Sequence, residues 1–250
     1  MKRLFDYLRA LGDLLMPRVC VVCGVPLGIH ERHLCLPCAA DVPYTRFWHQ
    51  LHNPLADRFN AVLERHRGTE PMDYAYAVAL LYYKGAYRNI PRALKYHSNL
   101  SIGRFYGALL GRYMASAPHF VDIDLIIPVP LHWTRRRSRG YNQAEILASA
   151  LASSLNAPCR TDILVRARRT RTQTRLNVEQ KAVNVASAFR VREGRARDIL
   201  ASAHHILLVD DTFTTGATLY ACYAAIRPYT AARISIATLA AVEGTPSNSK

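Results

Sequence analysis

Apolar residues recur along this chain in two rhythms, short unbroken runs and longer stretches with helical spacing. Residues 73–83 are aromatic-rich and in part alternate apolar with polar, which predicts an edge or antiparallel strand. Residues 86–97 and 103–115 carry the spacing of helices. Asp124-Leu125-Ile126-Ile127-Pro128-Val129-Pro130 is a short apolar run closed by prolines and reads as a buried parallel strand. A helix is predicted from about Asn142 to Leu155, with Asn142 as its cap and Glu145 three residues on, a capping-box arrangement. Runs at 163–166, 188–191, 204–209 and 233–242 predict further strands, with a helix after Gly216 between the last two. Strands alternating with helices predict an α/β fold with a doubly wound parallel sheet. Ligands of such sheets bind beyond the carboxyl ends of the strands, where Asp210 and the Pro128–Pro130 turn both fall.

The most informative stretch is Ile206-Leu207-Leu208-Val209-Asp210-Asp211-Thr212-Phe213-Thr214-Thr215-Gly216-Ala217-Thr218-Leu219. Its pattern predicts a buried strand, an acidic turn and a helix N-terminus. Backbone N–H groups and hydroxyls of Thr214, Thr215, Gly216, Ala217 and Thr218 can wrap a phosphate where the helix dipole is positive and amides lack partners. Gly216 lets the backbone come close. Asp210 and Asp211 sit where the hydroxyls of a ribose attached to that phosphate would lie. Walker-type and Gly-x-Gly-x-x-Gly loops are absent.

Cys20-x2-Cys23 and Cys35-x2-Cys38 are two knuckles separated by eleven residues, a spacing from which four thiolates close a tetrahedron around one Zn2+. Gly24 and Pro37 suit the tight turns. With four protein ligands the zinc is expected to be structural. Cys159 and Cys222 read as small packed side chains. Met1 to Met16 is interrupted by Asp6, Arg9 and Asp13, which argues against a signal peptide or a membrane span and for an amphipathic helix lying on the protein. The expected location is the cytoplasm.

Charge sharpens the picture. The net charge is +15, and residues 131–200, with fifteen basic and five acidic side chains, carry +10 of it. Arg135, Arg136, Arg137 and Arg139 form one cluster past the Pro128–Pro130 turn; Arg166, Arg168, Arg169, Arg171 and Arg175 form another. These arginines, with Pro130, Asn142 and Gln143, are candidates to hold a pyrophosphate, or to contact a nucleic-acid backbone with Trp133 and Tyr141 stacking on bases. A pyrophosphate needs two or three cations, so the surplus favours a polyanion as an additional partner. His132, His204 and His205 are expected near the site, as packed rather than catalytic groups.

The Asp210–Thr218 segment resembles the 5-phosphoribosyl-1-pyrophosphate (PRPP) loop of type I phosphoribosyltransferases. That resemblance implies that Asp210 and Asp211 hold ribose hydroxyls while Thr212, Thr214, Thr215, Gly216, Ala217 and Thr218 line the 5′-phosphate, with Mg2+ accompanying PRPP. More of the chain is similar to the ComF family of competence proteins. The similarity rests on Tyr83-Lys84-Gly85 with Leu94-Lys95-Tyr96, on Pro128-Val129-Pro130 with Arg139-Gly140-Tyr141-Asn142-Gln143-Ala144, and on Thr172-Gln173-Thr174-Arg175-Leu176 with Asn184-Val185-Ala186-Ser187-Ala188-Phe189, together with the knuckles and the loop. Lys181 stands where members often carry Arg, and Thr212 where an apolar spacer is usual. The resemblance implies a phosphoribosyltransferase-like sheet with a small amino-terminal zinc module. It divides the chain into 1–50, with the helix and the module, 51–245, the main domain, and 246–250, a tail. It also implies handling of incoming single-stranded DNA in natural transformation, with a DNA-import helicase and channel as partners and a membrane-peripheral placement at that channel. Two alternatives stay open, a metabolic phosphoribosyltransferase and a DNA-handling module that uses its pocket as a sensor.

Overall fold

The computed structural model describes residues 12–13, 17–66, 73–96, 99–167 and 188–244. The predicted Met1–Met16 helix, apart from residues 12–13, and the 246–250 tail lie outside the described residues. So do Arg168, Arg169, Arg171 and Arg175 and the Thr172–Leu176 and Asn184–Ser187 motifs.

The core is a four-stranded parallel sheet of β1 (Ala77–Tyr82), β2 (Leu125–Pro128), β5 (His205–Phe213) and β6 (Arg233–Ala241), in the order β1-β6-β5-β2. The strands are almost wholly buried, which is why they read as apolar runs. β1 is the edge strand expected at 73–83 but pairs in parallel with β6, and its residues 77–81 are buried without alternation. β3 (Leu164–Arg166) and β4 (Phe189–Val191) leave the main sheet and form an antiparallel ribbon of their own.

Helices α1 (Leu36–Ala40), α2 (Pro54–Glu64), α3 (Asn89–Tyr96), α4 (Leu100–Ala115), α5 (Trp133–Arg139), α6 (Gln143–Leu155), α7 (Arg195–Ser202) and α8 (Ala217–Ile226) complete the order. α2 starts at Asn53, whose Oδ1 accepts from Leu55 N and Ala56 N while Nδ2 donates to the Ala77 carbonyl of β1. Asn142 caps α6 in the same way, accepting from Ala144 N at 3.1 Å and donating to the Val129 carbonyl at 2.9 Å. The capping box is incomplete, because Glu145 is drawn off by Arg136 at 2.9 Å instead of turning back to the cap. α4 and α6 pack closely because Gly107 and Gly111 carry no side chain. A Cβ on Gly107 would lie 2.9 Å from Ala150, and one on Gly111 would lie 2.5 Å from Ser154.

The amino-terminal knuckles are fastened to this body. Tyr87 donates to the Cys38 carbonyl at 3.1 Å, and His33 meets Phe105 edge-on at 5.2 Å. Val22, Leu27, Leu34 and Val42 join the same continuous core as the sheet, so the module shares its apolar interior with the main domain.

Candidate functional site

β5 is longer than the predicted 204–209 strand. Its ladder continues through the two aspartates, with Asp210 opposite Thr238, Thr212 opposite Ala240 and Phe213 opposite Ala241. β6 is apolar and regular enough to offer partners that far, so the acidic pair stands on a strand end and not on a turn. Thr214, Thr215 and Gly216 then make the turn into α8, with the two threonines exposed. Gly216 has φ +81, and a Cβ there would lie 2.9 Å from the Phe213 ring. Its closest neighbour is thus that ring, and the left-handed backbone and the ring together require glycine. Arg58 on α2 braces the turn, donating to the Thr214 carbonyl at 2.5 Å and the Val242 carbonyl at 2.6 Å with its guanidinium 5.2 Å from the Phe213 ring. At the head of α8, Ala217 N donates to Thr215 Oγ1 at 3.4 Å, a long contact that a better acceptor would replace.

The two carboxylates have different surroundings. Asp211 pairs with Lys95 of α3 at 2.7 Å, and its own N–H donates to Asp210 Oδ1 at 2.8 Å. Burial pushes the Asp210 carboxyl up to about 7 and the Asp211 charge adds to the rise, while the Asp211 N–H, Lys95 and Arg166 pull the other way. Thr238, beside Asp210 in the ladder, is buried, and its Oγ1 has no hydrogen-bond partner among the described residues.

The end of β2 supplies the second wall. Val129 N donates to the Val209 carbonyl at 2.8 Å, joining the Pro128–Pro130 turn to β5 just before the acidic pair. Gln143, at the first position of α6, is buried with Nε2 lacking a partner among the described residues. His132 is buried and caps α5 through Nδ1, which accepts from Thr134 N. Trp133 is 65% exposed, and Arg135, Arg136 and Arg137 are exposed along α5. Arg139 sits with its guanidinium 5.5 Å from the Tyr96 ring. Tyr141 is half-buried and donates its hydroxyl to the Leu94 carbonyl, tying α3 to the Gly140 turn. Of the second basic cluster Arg166 is described. It lies over Phe189 at 5.2 Å, and burial holds its pKa below the usual arginine value.

His204 and His205 are not at this site. His205 begins β5 and His204 precedes it, at the opposite end of the sheet, where Asp122 and Asp124 hold them. Lys95, Arg58 and Thr238 join the site without having been singled out for it. Lys95 stood in a quoted motif, but its pairing with Asp211 depends on how α3 is placed. Thr238 becomes visible only once the β5–β6 register is known.

The four cysteines of the knuckles converge. Their sulfurs all lie within 4.8 Å of one another, with Cys23 Sγ 3.6 Å from Cys35 Sγ, and none is in a disulfide. Burial opposes ionisation of Cys20, yet the N–H groups of Cys23, Cys35 and Val22 hold its thiol down to about 6. Four soft donors at such separations fit one tetrahedral metal ion, which Cys20, Cys23, Cys35 and Cys38 could hold.

A parallel sheet with an acidic pair at one strand end and an exposed Thr-Thr-Gly turn heading the next helix defines a phosphoribosyltransferase-type domain. The family model described as "Phosphoribosyl transferase domain" matches residues 138–249. More particularly, the chain is similar to competence and DNA utilization proteins. It is 36% identical to competence protein F of Haemophilus influenzae over 96 residues, covering 38% of this chain and 41% of that one. It is 27% identical to DNA utilization protein YhgH of Salmonella typhi over 80% of this chain and 74% of that one, and 25% identical to YhgH of Escherichia coli O157:H7 over 82% and 89%. The match thus spans less than half of the H. influenzae protein. Among solved structures, adenine phosphoribosyltransferase of Trypanosoma brucei is similar at 14% identity over 79% of this chain and 87% of that one, with a TM-score of 0.35. No helix among the described residues is long and apolar enough to cross a membrane.

Proposed function

We propose that this chain binds PRPP or a related ribose phosphate, with Mg2+, at the Thr214–Thr218 turn, and handles single-stranded DNA during DNA uptake through the basic surface beside that turn. The observation that carries the first half is the company of Asp210 and Asp211 with an exposed hydroxyl-rich turn at the head of α8. Phosphate oxygens would take the α8 amides and the Thr214, Thr215 and Thr218 hydroxyls, and the carboxylates would accept from the ribose hydroxyls. Burial of Thr238 Oγ1 and Gln143 Nε2 without partners among the described residues fits a site whose polar groups are completed by a ligand. The second half draws on the relatives' names, competence and DNA utilization, and on Arg135, Arg136, Arg137 and Trp133 exposed on one short helix. A DNA-import helicase and channel are the partners that the family resemblance suggests.

Calorimetric titration of PRPP with and without Mg2+ tests the pocket. Saturable, Mg2+-dependent binding supports it, and no heat in either condition refutes it. A pyrophosphate assay with PRPP as donor then separates transfer from sensing.

The knuckle metal is read as structural zinc, because four protein thiolates leave no position open for substrate. Purified protein is expected to carry about one zinc per chain, and Cys20→Ser to lower thermal stability. Metal analysis that finds no zinc in protein prepared without chelators rejects this.

A further inference from the structure

Among the described phenylalanine, tyrosine and tryptophan residues, only two are exposed. They are Tyr96 at 72% and Trp133 at 65%. Every other described tyrosine is buried or half-buried, and Trp48, the other tryptophan, is 4% exposed and stacked on Tyr113 at 4.3 Å. The two exceptions come from separate elements, Tyr96 from the end of α3 and Trp133 from the start of α5, yet both adjoin α5. Trp133 is its first residue, and Arg139, its last, lies against the Tyr96 ring. α5 has the sequence Trp-Thr-Arg-Arg-Arg-Ser-Arg, with no acidic residue.

Exposed rings cost free energy in water and are favoured where something flat covers them. A cation on one face of Tyr96 leaves the other face open, and so high an exposure means that nothing in the described fold occupies it. Trp133 and Arg139 are about 9 Å apart along the helix, from six residues at 1.5 Å each, with three arginines between them. Two aromatic platforms flanking a row of cations are what an unpaired strand needs: π-faces for bases and positive charge for the phosphates. A duplex hides its base faces and could use only the charge.

We propose that Tyr96, backed by Arg139, is a base-stacking site for single-stranded nucleic acid, paired across α5 with the exposed Trp133. The proposal rests on the nucleic-acid reading above and extends it to a residue on α3. It also sets a base next to the ribose-phosphate pocket, since Lys95, the residue before Tyr96, holds Asp211.

The experiment compares full-length parent, Tyr96→Ala, Tyr96→Trp and the triple charge reversal of Arg135, Arg136 and Arg137. The probes are a fluorescent oligothymidylate of about sixteen nucleotides and an abasic phosphodiester of the same length and charge. The parent is expected to prefer the oligothymidylate on the order of ten-fold or more, because only that probe can stack. Tyr96→Ala is expected to lower that preference about five-fold while leaving abasic binding and the salt dependence unchanged; Tyr96→Trp should preserve it. If Tyr96→Ala binds both probes as the parent does while the arginine reversals weaken both, the stacking site is wrong and the nucleic-acid reading stands. If the parent binds neither probe better than a comparably basic control protein, both fail.

Discussion

The two ends of the central sheet each carry a cluster of aspartates and polar side chains, and they treat them in opposite ways. At the amino end His205 is buried between Asp122, 2.6 Å from its Nδ1, and Ser235, 2.7 Å from its Nε2. Beside it Asp124 accepts from His204 N and His205 N at 2.8 and 3.0 Å. Every group there has a partner within the fold. The arrangement looks like a nucleophile triad, but Ser235 and His205 are 0% and 1% exposed, so no substrate can reach the hydroxyl. At the carboxyl end Asp210 is held against its preference, and Thr238 Oγ1 and Gln143 Nε2 are buried without partners among the described residues. Both clusters are polar; what separates them is whether the fold itself completes the hydrogen bonds.

The sharpest way to break this contrast is to remove a partner at the amino end. His205→Ala strands the Ser235 hydroxyl in the core and opens a cavity, at an expected cost of about 2–4 kcal/mol in denaturant unfolding. PRPP affinity should be unchanged, because Asp210 lies five residues along β5, roughly 16 Å away. A large affinity loss with native stability would mean that the amino-end cluster belongs to the site. The reverse experiment is Asp210→Asn with Asp211→Asn. It should weaken PRPP binding at least about a hundred-fold, a loss near 2.7 kcal/mol, while stability holds or rises. The amides keep their shape and lose the charged acceptors. Gly216→Val is a poorer probe of the pocket, since it collides with the Phe213 ring and its effect on binding would be mixed with unfolding.

The contrast also explains what could be read from the chain. The parallel strands β2, β5 and β6, the α6 cap at Asn142 and the loop before α8 were legible because unbroken apolar runs, an Asn cap and Thr-Thr-Gly each report a local physical requirement. The antiparallel β3–β4 ribbon was not, since three-residue strands carry no period that distinguishes a ribbon from a sheet. The extension of β5 through Asp210 and Asp211 was hidden for another reason. Two adjacent aspartates disfavour a strand, and it is the ladder offered by β6 that overrides them. His205 was expected near the site, as a packed group, but a parallel strand carries its two ends to opposite edges of the sheet. Lys95, Arg58 and Thr238 reach the site from three other elements, and no local pattern announces a contact of that kind.

The two ends should also answer pH in opposite directions. Burial keeps His205 neutral by lowering its pKa, so as pH falls below about 6.5 the unfolded chain takes up a proton that the folded chain refuses, and stability drops. Burial opposes ionisation of Asp122 and Asp124, but His205 and the His204 and His205 N–H groups hold both carboxyls below the usual range. Their stabilisation is present above that range and is lost as pH falls through it. For Asp210 the sign reverses. Its folded pKa is raised to about 7 from 3.8, so the unfolded chain ionises first, and stability falls as pH climbs between those values. Asp210→Asn should therefore be stabilising at about pH 8 and nearly neutral at about pH 4. Equal effects at both pH values would show that Asp210 is not strained.

The smallest effect sharpens the comparison most, because it concerns the cation that forms an ion pair with Asp211 at the carboxyl end. Lys95 and Asp211 are 27% and 14% exposed in their side chains, so the pair contributes under about 1 kcal/mol to folding, and Lys95→Met should leave stability nearly unchanged. On the proposed reading its influence would fall on binding. If PRPP binds as proposed, it would bring several negative charges toward two carboxylates, and Lys95, 2.7 Å from Asp211, would offset part of that repulsion. Lys95→Met is expected to lower PRPP affinity about three- to ten-fold, most visibly at low salt, with Lys95→Arg recovering much of the loss. A gain in affinity on Lys95→Met would give the ion pair the opposite meaning: a latch that the ligand has to open before Asp211 can accept its hydroxyls.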